Sequence, residues 1–121
     1  MSDRDEADSR YRLENRRGGC SIDFDFRGSL YVLGVGFAAD GKPYETFISV
    51  QPSSASKIKV GSDTEQDARD IAILISLALQ YGADPIVLKS AITRNERDEP
   101  AGIAGKVLDI LCGLENQKWR A

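Results

Sequence analysis

The chain has no histidine in 121 residues, and only two cysteines, one tryptophan and one methionine. The missing histidine removes Ser-His-Asp and Cys-His catalysis, histidine metal sites and the usual general base near neutral pH. Any chemistry would rest on carboxylates, lysine, tyrosine or backbone amides. Cys20 and Cys112 lie far apart and no C-x-x-C spacing occurs, so a zinc site or dithiol redox centre is not expected, and the sequence calls for no metal and no cofactor. Both cysteines read as small apolar fillers in a reducing compartment. A surplus of positive charge is absent too. The 16 basic and 19 acidic residues give a formal charge of −3, without the basic stripe that an extended nucleic acid requires. A small nucleotide is still compatible, because a few local donors suffice for one phosphate group. No apolar run approaches the ~20 residues that cross a bilayer. The opening MSDRDEADSR lacks the apolar core of a secretory signal, so a cytoplasmic location is expected.

What is present describes one domain organised around Ser62–Gly82. Ser62 followed by Glu65 is a capping box, in which each side chain satisfies a backbone N–H at a helix start. Asp63, Glu65, Asp67 and Asp70 place negative charge near the positive end of the helix dipole, and Gly82 is a natural stop. Between Ile71 and Leu79 only Ser76 is polar, which predicts a central helix apolar, and therefore buried, all round.

Upstream, Ile22, Phe24 and Phe26 alternate with Asp23, Asp25 and Arg27, the period of a strand with one buried face. Gly28-Ser29 is read as the turn. Leu30–Phe37 is apolar on both faces and suits a central strand, with Gly34 and Gly36 leaving room for a bulge or a packed neighbour. Asp40-Gly41 signals a hairpin into Tyr44–Gln51, in which Tyr44, Thr46, Ile48 and Val50 share one face. Pro52–Ser56 is a polar connection and Lys57–Val60 a short extended piece. Asp84-Pro85 opens a short helix to Ile92. Arg94–Glu99 is a charged loop, and Ile103, Val107, Leu111 and Leu114 recur on one face of a last helix. The fold class is thus α+β: a three-stranded antiparallel meander followed by about three helices packed on one face. Residues 1–19, with five acidic and five basic side chains, read as a mobile charged arm in which Tyr11 and Leu13 could dock while Arg16 and Arg17 face a partner. Residues 20–115 form the domain. Residues 116–121 form a tail whose Trp119 covers a sheet edge or joins an interface.

Four pieces, Asp40-Gly41-Lys42-Pro43-Tyr44-Glu45-Thr46-Phe47-Ile48, Ile75-Ser76-Leu77-Ala78-Leu79-Gln80-Tyr81-Gly82, Thr93-Arg94 and Glu99-Pro100-Ala101-Gly102, together resemble the TSCPD domain. That domain is found near the C-terminus of adenosylcobalamin-dependent ribonucleotide reductases and in small stand-alone bacterial and phage proteins. The likeness covers about residues 17 to 114. Here Asn95–Asp98 intervenes between the third and fourth pieces, and neither the Thr-Ser-Cys-Pro-Asp string nor the reductase C-terminal cysteine pair is present. A chain of 121 residues has no room for the large barrel and thiyl-radical cysteine of those enzymes. The resemblance therefore implies a non-catalytic binding or accessory module linked to nucleotide metabolism, with a nucleotide or a ribonucleotide reductase subunit as partner. It marks Glu45, Phe47, Gln80, Tyr81, Gly82, Pro100 and Gly102 as motif positions. A phage- or prophage-type protein that sequesters a nucleotide signal is the alternative, and a small metal-dependent hydrolase a second.

Three surfaces invite a ligand. Lys57, Lys59, Ser62 and Thr64 converge with Gly61 on the start of the central helix, where free amides favour an anion, although the acidic residues there repel one. Arg94 and Arg97 could fork onto a phosphate, or pair with Glu96, Asp98 and Glu99. Asp23, Asp25 and Glu45 could act as paired carboxylates or simply form the wet face of a sheet, with Glu45 alternatively anchoring the helix layer. A meander with two edges and a face its helices do not cover also predicts a homo-oligomer, most simply a dimer.

Overall fold

The computed structural model describes residues 18–51 and 61–117. The expectations placed on Tyr11, Leu13, Arg16, Arg17, Pro52–Val60 and Trp119 lie outside these residues. The described chain is a three-stranded antiparallel sheet in the order β1-β2-β3 followed by three helices. The strands are β1 (Gly19–Phe26), β2 (Ser29–Phe37) and β3 (Pro43–Val50); the helices are α1 (Asp63–Gln80), α2 (Pro85–Ala91) and α3 (Ile103–Gln117). β1 starts one residue inside the segment read as an arm, and α3 runs two residues into the segment read as a tail.

The first turn is Arg27-Gly28, one residue earlier than Gly28-Ser29. Both residues have positive φ (55° and 80°), the geometry of a two-residue hairpin turn, while Ser29 already pairs with Phe26. The Gly28 N–H donates to Asp25 Oδ1 at 3.2 Å, which holds the tip. The second turn uses Gly41 at φ 87°, and Lys42 N donates to Asp40 Oδ1 at 3.0 Å. Both readings of the β2 glycines hold at once: the β2–β3 register shifts at Gly36/Phe37, and the Phe47 ring lies 3.6 Å from where a Gly34 Cβ would stand.

The core lies between the inner face of the sheet and the helices. Tyr31, Leu33, Val35 and Phe37 of β2 alternate into it. They meet Phe24, Ile48 and Val50 from the flanking strands, Ala68, Ala72, Ile75 and Leu79 from α1, and Val107, Leu108 and Leu111 from α3. Phe24 and Tyr31 stack with ring centroids 5.2 Å apart. Each fully buried aliphatic side chain contributes on the order of 1.5–3 kcal/mol.

α1 corrects the expectation of a helix buried all round. Its inner stripe is covered, but Ile73 is 54% and Leu74 66% exposed. The reason is its position: α1 packs chiefly against β3, the edge strand, and a sheet of three strands is too narrow to shield both flanks of a helix at its margin. Both ends of α1 fall where the sequence predicts. Ser62 caps the start. At the end Gly82 (φ 99°) and Ala83 return N–H bonds to Leu79 and Ala78 at 3.0 and 2.9 Å, a Schellman motif. α2 is capped by Asp84, whose Oδ1 accepts from Ile86 N at 2.9 Å. Residue 105 of α3 must be small, because a Cβ there would stand 2.8 Å from Pro100 Cβ.

Candidate functional site

The helix-start candidate is already filled by the protein's own anion. Ser62 Oγ accepts from Glu65 N at 3.3 Å, as a cap should. Glu65, however, does not reach back to Ser62. Its Oε1 accepts from Gly61 N at 2.6 Å and its Oε2 from Val50 N at 3.1 Å. Those two bonds, Gly61 first, hold its carboxyl below the ordinary value of 4.5 against the opposing effect of burial. One buried carboxylate thus ties the end of β3 to the entry of α1. Thr64 points away at the surface, and Lys57 and Lys59 lie outside the described residues.

The second candidate divides. Arg94 is only 15% exposed at its side chain and is bound by Asp98 Oδ1 at 3.0 Å and by Asp109 Oδ2 at 3.4 Å. It also donates to the Asp98 carbonyl. The bond to Asp109, chiefly, pushes its pKa above the ordinary value, so it is a fixed cation closing a loop onto α3. Arg97 is 83% exposed and pairs with Glu99 at 3.4 Å. The two guanidiniums therefore do not form a fork. The partner on α3, Asp109, was not foreseeable from the local acidic residues of the loop.

The carboxylate candidate also comes apart. Asp23 and Asp25 are exposed on β1, and Asp25 is used by its own turn. Among the described residues no group of three or more His, Cys, Asp or Glu side chains could hold a metal ion. Glu45 lines a hollow on the outer sheet face with Cys20, Ser21 and Phe47.

Anchoring of the helix layer falls to a stripe of polar residues on α1 which spacing alone did not mark. Ser76 Oγ accepts from Thr46 N at 2.8 Å and lies 3.1 Å from the Thr46 carbonyl and 2.8 Å from that of Ala72. Thr46 Oγ1 donates to Ala72 O at 2.9 Å. Gln80 Nε2 donates to Tyr44 O at 3.0 Å, leaving Gln80 Oε1 buried without a partner. With Glu65 on Val50, these contacts take up the outward N–H groups of Thr46 and Val50 and the carbonyls of Tyr44 and Thr46, part of what a fourth strand would otherwise pair with. The first two motif pieces are thereby joined to each other. The third and fourth are joined likewise, by a bridge between Arg94 and Pro100 and by Ala101 N donating to Thr93 O at 3.1 Å. Gly82 supplies the helix stop, Pro100 packs on Gly105, and Gly102 O accepts from Lys106 N. Most motif positions thus have a structural reason.

Phe47 and Tyr81 do not follow suit: they are 59% and 54% exposed. Phe47 walls a groove of about 510 Å³ that runs over the β3 edge, floored by Gly34 and Val32 and flanked by Ser21, Ser49, Arg69 and Ile73. The Arg69 side chain is 57% exposed and only 3.5 Å from Glu65, leaving most of its donors directed to the surface. An aromatic face, hydroxyls and a guanidinium on a glycine floor suit a small ring-bearing anion. A second hollow of about 310 Å³ lies where Lys42 and Tyr44 meet Gly82 and Asp84 at the end of α1. Among the described residues no helix is long and apolar enough to cross a membrane. Comparison with known proteins finds no matching family model, no matching curated protein and no matching solved structure.

Proposed function

We propose that this chain is a non-catalytic binding module of nucleotide metabolism, and that its ligand surface is the groove walled by Phe47. The observation that carries the reading is the exposed Phe47 ring seated over Gly34 with Arg69 on the same groove wall. A base stacks on the ring and its phosphate turns to the guanidinium; base–aromatic stacking contributes about 1–3 kcal/mol. The resemblance to the TSCPD domain supports the link to nucleotides, and a protein that sequesters a nucleotide signal would use the same contacts. This reading moves the ligand contacts away from Ser62, Thr64 and Arg94, which are used or turned away within the fold.

The test is a thermal-shift screen over ribo- and deoxyribonucleotides, followed by titration calorimetry of any hit, because a ligand that binds only the folded chain must raise its apparent stability. Phe47→Ala and Arg69→Ala should each weaken binding at least about tenfold, which corresponds to 1.4 kcal/mol, without lowering the melting temperature of the free protein. No shift from any nucleotide would remove the reading. A second reading, a ribonucleotide reductase subunit docking on the same face, is favoured by Ile73, which extends the Phe47 wall as an exposed apolar strip. Loss of reductase capture in Phe47→Asp, with no response to nucleotides, would select it.

A further inference from the structure

A hollow of about 270 Å³ lies where three elements meet. The β1–β2 hairpin lines it with Phe26, Arg27, Ser29 and Tyr31, α1 with Asp67, and α3 with Ile103, its first residue. None of these residues lines the Phe47 groove, so the hollow is a separate place on the molecule.

Ser29 and Tyr31 are two residues apart on β2 and share its inner face. They are only 5% and 4% exposed, yet neither side-chain hydroxyl has a hydrogen-bond partner among the described residues. Folded chains ordinarily pair their buried polar groups internally. Two buried hydroxyls side by side at the wall of one hollow therefore point to something that enters it. Burial raises the Tyr31 phenol above its ordinary value of 10.0, against the opposing pull of the Arg27 charge, so the phenol keeps its proton at neutral pH.

Arg27 stands at φ 55°, where a two-residue hairpin turn favours asparagine or glycine. Its guanidinium donates to the Ala101 carbonyl and lies 5.0 Å over the Phe26 ring. The chain thus accepts an unfavourable backbone conformation and holds a cation in place at this hollow. Asp67 is exposed on the same hollow, and pairs neither with Arg27 nor with any other charge among the described residues.

We infer that this hollow binds a small zwitterion, an apolar α-amino acid, with its carboxylate on Arg27, its ammonium group on Asp67 and its side chain against Phe26 and Ile103. Charge selects the class. A guanidinium and a carboxylate that line one hollow without neutralising each other leave two opposite poles for one ligand to bridge. A nucleotide or free phosphate would be repelled by Asp67, and a divalent cation, which takes several oxygen ligands, would find one carboxylate beside a fixed guanidinium. The hydroxyls of Ser29 and Tyr31 serve either pole, since each can donate or accept. Size agrees: the volume lies just below the roughly 300–1,000 Å³ of drug-sized sites, the scale of one amino acid and not of a peptide. The inference does not rest on the nucleotide reading of the Phe47 groove.

The experiment is titration calorimetry of the full chain with L-leucine and L-phenylalanine. N-acetyl-leucine and leucinamide, which each lack one charge, are run beside them, with inorganic phosphate and glucose as the competing classes. Both amino acids are expected to bind with a Kd of about 1 mM or tighter. Blocking either charge of leucine, or making Asp67→Asn, should weaken binding about tenfold or more, the loss of one charge-assisted contact. Arg27→Gly should do the same in a folded chain, because glycine adopts the positive φ freely, and circular dichroism checks the fold. Tyr31→Phe keeps the ring and should weaken binding about 3- to 10-fold. No binding of either amino acid at about 10 mM, tenfold above the expected Kd, would overturn the inference. So would blocked derivatives that bind as well as leucine, binding unmoved by both Asp67→Asn and Arg27→Gly, or phosphate or glucose bound more tightly than leucine.

Discussion

Glu65 and Ser76 show how much of this fold rests on single polar atoms. The Glu65 carboxylate is 2% exposed and accepts from two backbone N–H groups on either side of the β3–α1 connection. Glu65→Gln puts a donor where one of those acceptors stood, and should cost about 2 kcal/mol in urea denaturation at neutral pH. The pH dependence has a definite sign. The folded-state pKa is depressed below 4.5, so the stabilisation is fully present above that value and is lost as pH falls through the lower folded one. Wild-type stability should therefore fall as the pH is lowered below 4.5, and the fall should be shallower in Glu65→Gln. Ser76→Ala is the companion test. It leaves the buried Thr46 N–H without its acceptor and should cost about 1–3 kcal/mol. Thr46→Val should cost less, because the Ala72 carbonyl it abandons retains the Ser76 hydroxyl within reach.

At the scale of elements, the periods of the sequence were sufficient where one face of an element is buried and the other is not. Ile22–Phe26 and Tyr44–Val50 alternate as strands, and Ser62 and Gly82 bound α1 because caps are local chemistry. The exposure of Ile73 and Leu74 was not legible, since an apolar run records only what a residue tolerates and its cover depends on how wide the neighbouring sheet is. Nor was the destination of Glu65: a capping box names the helix terminus, but the Val50 N–H arrives from another element. Phe47 stood out in the sequence only as a position of the family resemblance and not as a ligand contact, and Arg69 did not stand out at all, because its place on the groove follows from the turn of α1 against β3. Gly105 gives a test at this scale. Glycine in a helix interior is ordinarily worse than alanine by about 1 kcal/mol, but here the added methyl would meet Pro100 at 2.8 Å. Gly105→Ala should therefore lower the melting temperature instead of raising it, and should cost less when made in a Pro100→Gly chain, which lacks the Cβ that it meets.

Among the described residues the sheet, α1 and α3 all contribute to one core. Leu33 of β2 and Leu108 of α3 are far apart in sequence, yet they are 0% and 1% exposed in the same cluster. If the helices after Gly82 were an appendage, a cavity in α3 would melt them first and leave the sheet with α1 intact. A shared core requires the two cavities to act alike. Leu33→Ala and Leu108→Ala should each cost about 2–5 kcal/mol and should shift a single urea transition whose slope is unchanged. Near-ultraviolet circular dichroism, to which the stacked Phe24 and Tyr31 of the sheet contribute, and far-ultraviolet circular dichroism, which reports mainly on the helices, should give one midpoint in both variants. An early far-ultraviolet transition confined to Leu108→Ala would show that α3 forms a separate cooperative unit, and would leave the sheet and α1 as the minimal body on which the Phe47 groove is built.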